Sequence, residues 1–442
     1  MSSYLITCTP AHGHVMPLLQ IARHLISRGD QVRFLTSQRY ADRVRAAGAQ
    51  FIALPAEADV DLDDVDAAFP ERVGLTGPAA LRFDMSNLFV RPAAAQLAAL
   101  RAELAAAEID AVLTEPLFIG AALLARLPRS ERPPVVALGI FPMGAKSRDT
   151  APFGLGITPA PGVLGRVRNA ALHFMAEKVI FGGIQREADE VSVRETGAPL
   201  GGFVLDWPAR ADALVQFTVP GFEYPRSDLP ETVHFAGPLP SPVSDVPLPA
   251  WWDDLDGSAP VVHVTQGTIA NTDFAQLVLP TITALAASDV LVVVSTGGRP
   301  RAALPDALPA NVRVAEYLPY DRFLPMVDVM VTNGGYGGIQ QALSHGTPIV
   351  VAGQTEDKVE VSARVGWSGV GINLRTNQPS AAQVCAAVRR VLTEDSFRRR
   401  ARSLAEELAA ADGLEGLDRV LAASPPAASD RQDRFGLGQR IR

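Results

Sequence analysis

Cysteine, net positive charge and long apolar runs are all scarce in this chain of 442 residues. Its two cysteines, Cys8 and Cys385, fit no metal-ligand spacing and are too few for a disulfide scaffold, so we expect a reducing, cytosolic environment. With 40 basic and 48 acidic residues the net charge is -8. That balance gives no attraction to nucleic-acid phosphates and excludes a protein that binds duplexes by charge.

No uninterrupted apolar stretch reaches the roughly 18 residues that a membrane-spanning helix needs, so a soluble protein is predicted. The apolar run at residues 4–8 is cut short by Pro10 and has no basic segment before it, so we expect no signal peptide. What is present is an ordinary globular composition, 48% apolar and 20% charged, which excludes disorder for most of the chain.

The length and the order of apolar runs predict an α/β protein with two domains. One domain usually has ~150 residues, so this length predicts two or three. Short apolar runs alternate with amphipathic stretches, which is typical of βα units around a parallel sheet buried on both faces. The predicted strands form a first series at residues 4–8, 31–35, 51–54, 111–114 and 135–140, and a second series at 261–265, 290–295, 312–314, 329–331 and 349–351.

A proline-rich stretch separates the two series. Residues 220–260 contain nine prolines, which is typical of a stiff extended linker and not of helices or strands. We therefore predict a first domain at 1–240, a second domain at 241–422 and a disordered tail at 423–442. Residues 163–183 predict a half-exposed helix beside a pocket, with docking of that helix on a membrane surface as the alternative.

The first predicted strand ends in TPAHGHVMP, which places His12, Gly13 and His14 in a tight loop before a helix that starts at Pro17. In open parallel sheets, ligands bind outside the carboxyl ends of the strands, where this loop lies. The loop is not a G-x-G-x-x-G fingerprint, because alanine and methionine occupy the outer glycine positions. A dinucleotide-dependent dehydrogenase is therefore disfavoured.

A histidine in this loop is a candidate general base, because its unperturbed pKa of roughly 6.5 suits proton acceptance at neutral pH. Glu115 follows directly after the strand predicted at 111–114, so its carboxylate emerges at a strand end in the same half. A carboxylate bonded to one ring nitrogen fixes the tautomer and stabilises the imidazolium formed when the other nitrogen takes a proton. Purely structural roles, as a helix cap or a solvated carboxylate, are the alternatives.

Loops rich in glycine and polar residues follow several strands of the second series. NGGYGG at 333–338 lies between a strand and a helix, where close backbone approach and a helix N-terminus suit a diphosphate. It lacks the lysine of a P-loop, so ATP hydrolysis is not implied. TQGT at 265–268, STGG at 295–298 and EDK at 356–358 follow other strands, the last with carboxylates suited to sugar hydroxyls. Tight helix–sheet packing and a solvated helix start are the alternatives.

In this order and spacing, the motifs resemble those of the inverting nucleotide-sugar glycosyltransferases of the GT-B fold, over about residues 4–412. The resemblance is carried by GHxxP at 13–17, VVHVTQGT at 261–268, and the run from EYLP through TNGGYGG to TPIVVAGQTEDK at 316–358. It implies two Rossmann-like domains with parallel sheets facing across a cleft, the first binding an acceptor and the second a nucleotide sugar. It also implies no cofactor beyond this co-substrate, and no metal.

The resemblance assigns a role to each matching residue. His14 matches the general base and Glu115 the carboxylate that orients it, while His12 is the less favoured base. The residues implied to bind the nucleotide sugar are Gly267, Thr268, Tyr317, Asn333, Gly335, Gly337, Gly338, Gln341, Asp357 and Lys358. The side chains implied to line the acceptor site are Phe83, Phe118, Phe141 and Met143.

Three donor-site residues depart from the family pattern. Asn333 replaces a histidine that bonds the diphosphate, so phosphate stabilisation must rely more on backbone N–H groups. Gln341 replaces a glutamate that contacts ribose, which favours a deoxyribose donor such as a thymidine nucleotide. Lys358 follows Asp357 in place of an amide, where it can pair with that carboxylate or with the diphosphate, and it leaves the donor sugar open. Tyr317 keeps the position that stacks on the base.

The resulting prediction is an inverting hexosyltransferase that moves a sugar from a UDP- or dTDP-sugar to a hydroxyl of a hydrophobic small molecule. A natural product of antibiotic biosynthesis fits the apolar acceptor loops. The alternatives are a GT-B-like epimerase, a transferase acting on a lipid-linked sugar, and a non-catalytic nucleotide-sugar-binding partner of a transferase. Either a monomer or a homodimer is compatible with the sequence.

Overall fold

The computed structural model describes residues 1–60, 62, 65–240, 244–268 and 270–424. Residues 425–442, most of the predicted disordered tail, lie outside this part of the chain. Two parallel sheets organise the described residues, one formed before residue 240 and the other after residue 260. The predicted α/β class is confirmed.

The first sheet has seven strands in the order β3-β2-β1-β4-β5-β6-β7. All neighbouring strands run parallel, and the register aligns Thr7 with Thr114 where β1 meets β4. The strands are β1 (Ser3–Thr7), β2 (Gln31–Thr36), β3 (Gln50–Ala53), β4 (Ala111–Thr114), β5 (Val135–Gly139), β6 (Ala213–Gln216) and β7 (Val233–Phe235).

The helices of this half connect the strands and form two cores with the sheet, one on each face. The helices are α1 (His12–Ser27), α2 (Ala41–Ala46), α3 (Val65–Ala68), α4 (Gly77–Asp84), α5 (Ala93–Ala106), α6 (Ile119–Arg126), α7 (Gly162–Phe174) and α8 (Gly182–Thr196).

The second sheet has six parallel strands in the order β10-β9-β8-β11-β12-β13. They are β8 (Val261–Thr265), β9 (Leu291–Ser295), β10 (Val312–Ala315), β11 (Val329–Thr332), β12 (Ile349–Val351) and β13 (Gly371–Asn373). The helices are α9 (Val278–Leu285), α10 (Tyr320–Phe323), α11 (Tyr336–Ser344), α12 (Lys358–Ser368), α13 (Ala381–Thr393), α14 (Asp395–Ala409) and α15 (Leu414–Ala423).

Both sheets reverse their strand order at an equivalent place. The chain turns back between β1 and β4 in the first sheet and between β8 and β11 in the second. A crevice opens at the carboxyl ends of the strands at such a switch point, and ligands bind there in open α/β sheets. The segments that follow these four strands begin at Cys8, Glu115, Gln266 and Asn333. The fold therefore places the predicted catalytic and phosphate-binding motifs at two switch points.

The last helix, α15, packs on the first half of the chain, across the domain boundary predicted at residue 240. Although α15 follows the second sheet in the chain, Leu417, Val420 and Leu421 are buried in the core that covers β1 and β4. Asp418 of the same helix lies 2.9 Å from His24 Nε2 on α1. The range 241–422 thus forms the second sheet and its helices, and then returns to complete the first half.

The helix expected at 163–183 is α7, which continues through a π-helical turn at Met175–Ile180 into the start of α8. One side of it is strongly exposed, with 86% of Leu164 and 66% of Phe174 accessible to solvent. His173 on the opposite side is buried and lies 3.1 Å from the backbone oxygen of Thr150. The half-exposed helix is confirmed, and docking on a membrane surface stays a prediction.

A buried histidine on β8, a strand of the second sheet, should make the free energy of unfolding depend on pH. His263 Nδ1 donates to the Val293 carbonyl over 3.0 Å, so Nε2 accepts from the Tyr320 hydroxyl at 2.9 Å. Burial lowers the pKa of His263 from 6.5 to about 4. Because the unfolded chain takes up this proton first, acidification from pH 6.5 to 4 should cost about 3 kcal/mol of unfolding free energy.

Urea unfolding of the wild type and His263→Gln at pH 7 and pH 4 checks this expectation. Glutamine offers one donor and one acceptor but no titrating group. The wild type should lose about 3 kcal/mol more than the variant over this interval, since all other titrating groups are shared. Equal losses in the two proteins would contradict the buried, neutral state of His263.

Candidate active site

The candidate base lies at the beginning of a helix, and the prediction of a loop at His12, Gly13 and His14 is wrong. Helix α1 begins at His12, and the N–H groups of His14 and Val15 both bond the Ala11 carbonyl at 2.9 Å. Pro17 lies inside this helix. It is tolerated because the carbonyl that loses its intrahelical donor belongs to Gly13, which is exposed to solvent. His14 is thereby held by regular backbone structure.

His14 and Glu115 form a close pair at the first switch point. Nδ1 of His14 lies 3.1 Å from Oε2 of Glu115, with the two side chains 20% and 0% exposed. Glu115 also accepts the N–H of Leu117 at 2.7 Å, the N–H of Thr9 at 3.1 Å and the Thr9 hydroxyl. These donors fix the carboxylate and let it stay charged in a buried place. The sequence motif did not identify Thr9, whose position at the end of the first strand is its only signal.

The pKa values of His14 and Glu115 are shifted in the directions that suit a general base and the carboxylate beside it. Burial lowers the pKa of His14, but the charge of Glu115, whose Oε2 lies 3.1 Å from Nδ1, and the charges of Asp357 and Glu356 raise it above 6.5 overall. Burial raises the pKa of Glu115, but the charge of His14 and the hydrogen bonds from Thr9 and Leu117 lower it overall. Glu115 is therefore an anion at neutral pH, and His14 is a stronger base than a free imidazole.

Carboxylates of the second half thus act on a histidine of the first. Asp357 immediately precedes α12, and Glu356 before it adopts a left-handed backbone with φ of 55°. Burial raises the pKa of Asp357, while the charges of Lys358 and His14 oppose that rise. The turn at 356–358 in the second half therefore lies close enough to His14 on α1 for their charges to interact. Lys358 is buried and pairs with Glu356, a partner that the sequence analysis did not propose. Pairing of Lys358 with the diphosphate stays a prediction.

Of the four side chains predicted to line the acceptor site, Phe83 and Phe141 are at least partly accessible, whereas Phe118 and Met143 are buried. The ring of Phe141 lies 5.9 Å from that of His14, and the ring of Phe153 lies 6.2 Å beyond it. Phe83 borders a shallow groove with Ser86 and Ile184. The sequence analysis did not single out Phe153, since one aromatic residue in an apolar loop carries no signal of its own.

Phe118 and Met143 are corrections to the predicted acceptor wall. The side chain of Phe118 is fully buried in the core that packs α5 and α6 on the sheet. Met143 is 3% exposed and packs with Ala145 and Ala209. An apolar residue at a strand end can face the cleft or the helix layer, and its position in the sequence does not distinguish the two. Neither side chain lies on a surface open to an acceptor.

The donor loops of the second half lie side by side. A methyl group added to Gly297 would overlap the carbonyl oxygen of Gly267, and φ at Gly297 is 63°, so glycine is required there. The Tyr317 hydroxyl lies over Gly298, and the tyrosine is 51% exposed. Thr268 is exposed at the end of the same loop. An accessible aromatic ring thus stands beside the loops at the ends of β8 and β9.

The glycines at the N-terminus of α11, one as its N-cap and two in its first turn, leave open space around the helix start. Gly335 is the N-cap of α11, and a Cβ atom on Gly335 or Gly337 would meet no atom within 4 Å. A Cβ atom on Gly338 would reach only ordinary contact, 3.8 Å from Met330 Cε. Tight packing therefore does not explain these glycines, whereas room for a ligand at a helix N-terminus does.

Asn333 and Gln341 flank this helix start. The amide nitrogen of Asn333 donates to the Gln266 carbonyl over 2.7 Å, so one of its donors already ties the β11 loop to the β8 loop. This bond reduces what Asn333 can offer a diphosphate and strengthens the expectation that backbone N–H groups supply the rest. Gln341 is partly exposed one turn further along α11.

Across the part of the chain that the structure describes, no cluster of three or more His, Cys, Asp or Glu side chains is arranged to hold a metal ion. In the same part of the chain, no helix combines the length and the apolar composition needed to cross a membrane. The cytosolic location and transfer without a metal ion both stay predictions.

The chain is similar to named glycosyltransferases along most of its length. It is 43% identical over 418 residues to 4'-demethylrebeccamycin synthase of Lentzea aerocolonigenes, covering 93% of this chain and 96% of that protein. The chain belongs to this glycosyltransferase family. UDP-glycosyltransferase 2 of Phaeomoniella chlamydospora is 34% identical over 434 residues, 93% of each chain.

Two further comparisons agree with this membership. The family described as Erythromycin biosynthesis protein CIII-like, C-terminal domain matches residues 279–414 of the glycosyltransferase. The crystal structure of the glycotransferase of kitacinnamycin has the same fold, with a TM-score of 0.73 at 22% identity over 96% of this chain and 99% of that one. The GT-B fold and the predicted activity, sugar transfer to a small-molecule acceptor, are confirmed.

Proposed function

We propose that this glycosyltransferase moves a sugar, with inversion, from a uridine diphosphate sugar to a hydroxyl of a hydrophobic small molecule. The observation that carries the proposal is the His14–Glu115 pair in the first half, placed opposite the Asp357 turn of the second. A base on one wall and sugar-binding carboxylates on the other are what a single displacement in the cleft requires.

In the proposed reaction, Glu115 keeps the proton of His14 on Nδ1, and Nε2 takes the proton of the acceptor hydroxyl. The acceptor oxygen forms a bond to the anomeric carbon while the bond from that carbon to the diphosphate oxygen breaks. Attack and departure on opposite faces invert the anomeric centre. Backbone N–H groups at Gly335 and Gly337 and the N-terminus of α11 stabilise the leaving diphosphate, so the proposal needs no metal ion.

The acceptor class follows from the wall beside His14. The Phe141 ring lies next to the base, and the Phe153 ring lies next to Phe141. Such rings favour a flat or apolar acceptor, because they offer dispersion contacts and few hydrogen bonds. The relative named for rebeccamycin synthesis and the chain's own apolar loop together support a natural product as acceptor.

Uridine is the proposed nucleoside, although Gln341 alone favoured a deoxyribose. The relative named as a UDP-glycosyltransferase aligns over 93% of this chain. A glutamine also bonds ribose hydroxyls through its amide oxygen, so the substitution at 341 weakens this contact without abolishing it.

A thermal-shift comparison with UDP-glucose and dTDP-glucose tests donor recognition. A ligand that binds only the native state stabilises it by about 2.7 kcal/mol at a concentration of 100 Kd. We expect UDP-glucose to raise the midpoint of unfolding and dTDP-glucose to raise it less. Stabilisation by neither nucleotide sugar would contradict the proposal, and a larger effect of dTDP-glucose would reassign the nucleoside.

Two predicted alternatives are separated from the proposal by simple incubations. An epimerase would convert UDP-glucose with no acceptor present, whereas the proposed transferase consumes it rapidly only when a hydroxylated acceptor is added. A non-catalytic partner would bind donor and transfer it to no acceptor. The buried carboxylate that holds a strengthened base favours catalysis, since a binding protein has no use for the pair.

Tyr317 should contribute to donor affinity through its exposed ring. Stacking of one base on an aromatic side chain is worth roughly 1–3 kcal/mol, so Tyr317→Ala should raise the donor KM about tenfold or more. Tyr317→Phe retains the ring and should stay close to the wild type. Initial rates at saturating acceptor measure both variants, and an unchanged donor KM in Tyr317→Ala would contradict the assignment.

A further inference from the structure

A buried carboxylate on α12 reaches across the cleft to the first half. Glu360 is 3% exposed and lies three residues after Asp357. Its Oε1 accepts the backbone N–H groups of Gly154 and Gly156, each over 2.9 Å. These two glycines belong to residues 141–157, a segment that we call the acceptor loop. The donor-side helix therefore holds the end of a loop that carries Phe141 and Phe153.

The second oxygen of Glu360 extends this connection to the start of the same loop. Glu360 Oε2 lies 2.8 Å from Arg364 Nη1, and Arg364 is 1% exposed. Nη2 of Arg364 donates to the Met143 carbonyl over 3.1 Å and lies 2.9 Å from Glu223 Oε2. One Glu–Arg pair on α12 thus bonds the acceptor loop near both of its ends.

The backbone of the loop is shaped to approach α12 closely. Gly156 has φ of 59°, and a methyl group there would lie 2.8 Å from Val359 Cγ2 and 3.1 Å from the Val359 carbonyl oxygen. Only a glycine fits both the backbone conformation and the space. Val359 follows Lys358 directly, so this contact lies beside the turn that faces His14.

Between its two points of attachment, the acceptor loop carries the rings beside the base. Phe153 immediately precedes Gly154, and Phe141 lies two residues before Met143. The bonds from α12 therefore fix the position from which Phe141 approaches His14 and from which Phe153 contacts Phe141. Burial raises the strength of such charged bonds, because water does not compete for the carboxylate.

We propose that Glu360 is a positioning residue that fixes the acceptor loop on the donor-side helix, so that the acceptor wall and the sugar-binding turn keep one relative geometry. Assignment of the two sides to acceptor and donor rests on the proposed function. Glu360 itself touches neither substrate and acts through the loop. Loss of its bonds releases the aromatic wall from His14 while the donor loops stay intact.

Glu360→Gln is the variant that tests this role. Glutamine has one oxygen and one NH2 group, so in either orientation the NH2 faces the two glycine N–H groups or the Arg364 guanidinium. The loop or the arginine thereby loses its acceptor with little change in side-chain volume. We expect the acceptor KM to rise about tenfold, the donor KM to change less than twofold, and the fraction of UDP-glucose lost to hydrolysis to increase.

Glu407→Gln is the matched control. Glu407 Oε1 accepts the N–H of Gly221 over 2.8 Å, so it also joins a glycine of the first half to a helix of the second, away from the acceptor loop. This variant should leave the ratio of acceptor to donor KM unchanged. An equal change in that ratio in the two variants would show a general effect of weakened contact between the halves and would overturn the proposal.

Hydrogen exchange gives a readout that does not depend on turnover. Peptides covering residues 152–158 should exchange faster in Glu360→Gln than in the wild type or Glu407→Gln, because the Gly154 and Gly156 amides lose their acceptor. Unchanged exchange there overturns the proposal even if the enzyme is inactive on the chosen acceptors. Absence of UDP-glucose binding and transfer in the wild type would instead contradict the proposed function, which keeps the two failures distinguishable.

A second variant covers the case in which Glu360→Gln fails to fold. Gly156→Ala pushes the loop away from Val359 while Glu360 and Arg364 remain intact. It should also raise the acceptor KM and the exchange at 152–158, with an unchanged donor KM. A folded Gly156→Ala protein with wild-type acceptor KM and exchange would overturn the proposal.

Discussion

His14→Ala is expected to lower kcat by at least about 10²-fold, because general base catalysis by a positioned side chain contributes that much or more. The midpoint shift produced by UDP-glucose should stay at the wild-type value, since His14 contributes no donor to the sugar nucleotide in the proposed reaction. Single-turnover rates at saturating donor and acceptor, measured beside the thermal shift, separate loss of chemistry from loss of binding.

His12→Ala is the control for this experiment. His12 lies on the same turn of α1, and its Nδ1 is 3.2 Å from Arg43 Nη1, so it is engaged away from Glu115. We expect its turnover to remain within a few-fold of the wild type. A larger loss in His12→Ala than in His14→Ala would exchange the two roles, and near-normal turnover of His14→Ala would remove the base from the mechanism.

Glu115→Gln should have the second largest effect, lowering kcat on the order of 10²-fold. The carboxylate accepts bonds from both the N–H and the hydroxyl of Thr9 and from the N–H of Leu117, and it fixes the His14 ring. A glutamine has one acceptor oxygen, so its NH2 group must face another donor in a buried place. The variant therefore no longer fixes the tautomer of His14 or stabilises its imidazolium form.

The same variant makes a prediction about pH with a definite sign. The pKa of His14 is raised above 6.5, with Glu115 as the main cause of the rise. The active base is the neutral ring, so kcat/KM of the wild type should fall as the pH decreases through this raised pKa. Removing the charge of Glu115 lowers the pKa of His14 and moves the acid limb of the profile to lower pH. An acid limb that stays in place or moves to higher pH in Glu115→Gln would contradict the pairing.

The strands near the site could be predicted from sequence because burial on both faces leaves a plain signal. β1, β4, β8 and β11 are short, continuous apolar runs, and the polar residues that follow them mark the carboxyl edge. Because β1 and β4 are neighbouring strands, the segments that follow them lie side by side, and this brings His14 and Glu115 together. The reactive pair is therefore a consequence of local sequence and sheet order.

β7 was missed because its local signal is contradictory. Val233–Phe235 lies inside the nine-proline stretch, between Pro230 and Pro238. Prolines are excluded from central strands, yet β7 is an edge strand that pairs with β6 in the described part of the chain, and the prolines flank it without entering it. A linker and a short edge strand have the same composition here.

Contacts between distant parts of the chain were not predictable at all. Helix α15 packs on the first sheet through Leu417 and its neighbours on the same face. The spacing of its apolar residues predicts that one face is buried, but not which surface covers that face. The bonds from Glu360 to Gly154 and Gly156 join residues more than 200 positions apart. A glutamate in the first turn of a helix is ordinary in sequence, and only the fold shows that it is buried against a loop of the other half.

The anomeric configuration of the product tests the proposed displacement most directly. The wild type is incubated with UDP-glucose, in which glucose is joined through an α bond, and with a panel of flat aromatic phenols and alcohols. Proton NMR of the purified glucoside then gives the coupling constant between the anomeric proton and the proton on C2, which distinguishes the α from the β anomer. A single attack by an acceptor oxygen deprotonated at His14 predicts a β-glucoside. An α-glucoside would contradict the mechanism, because retention requires a route other than the one displacement across the cleft.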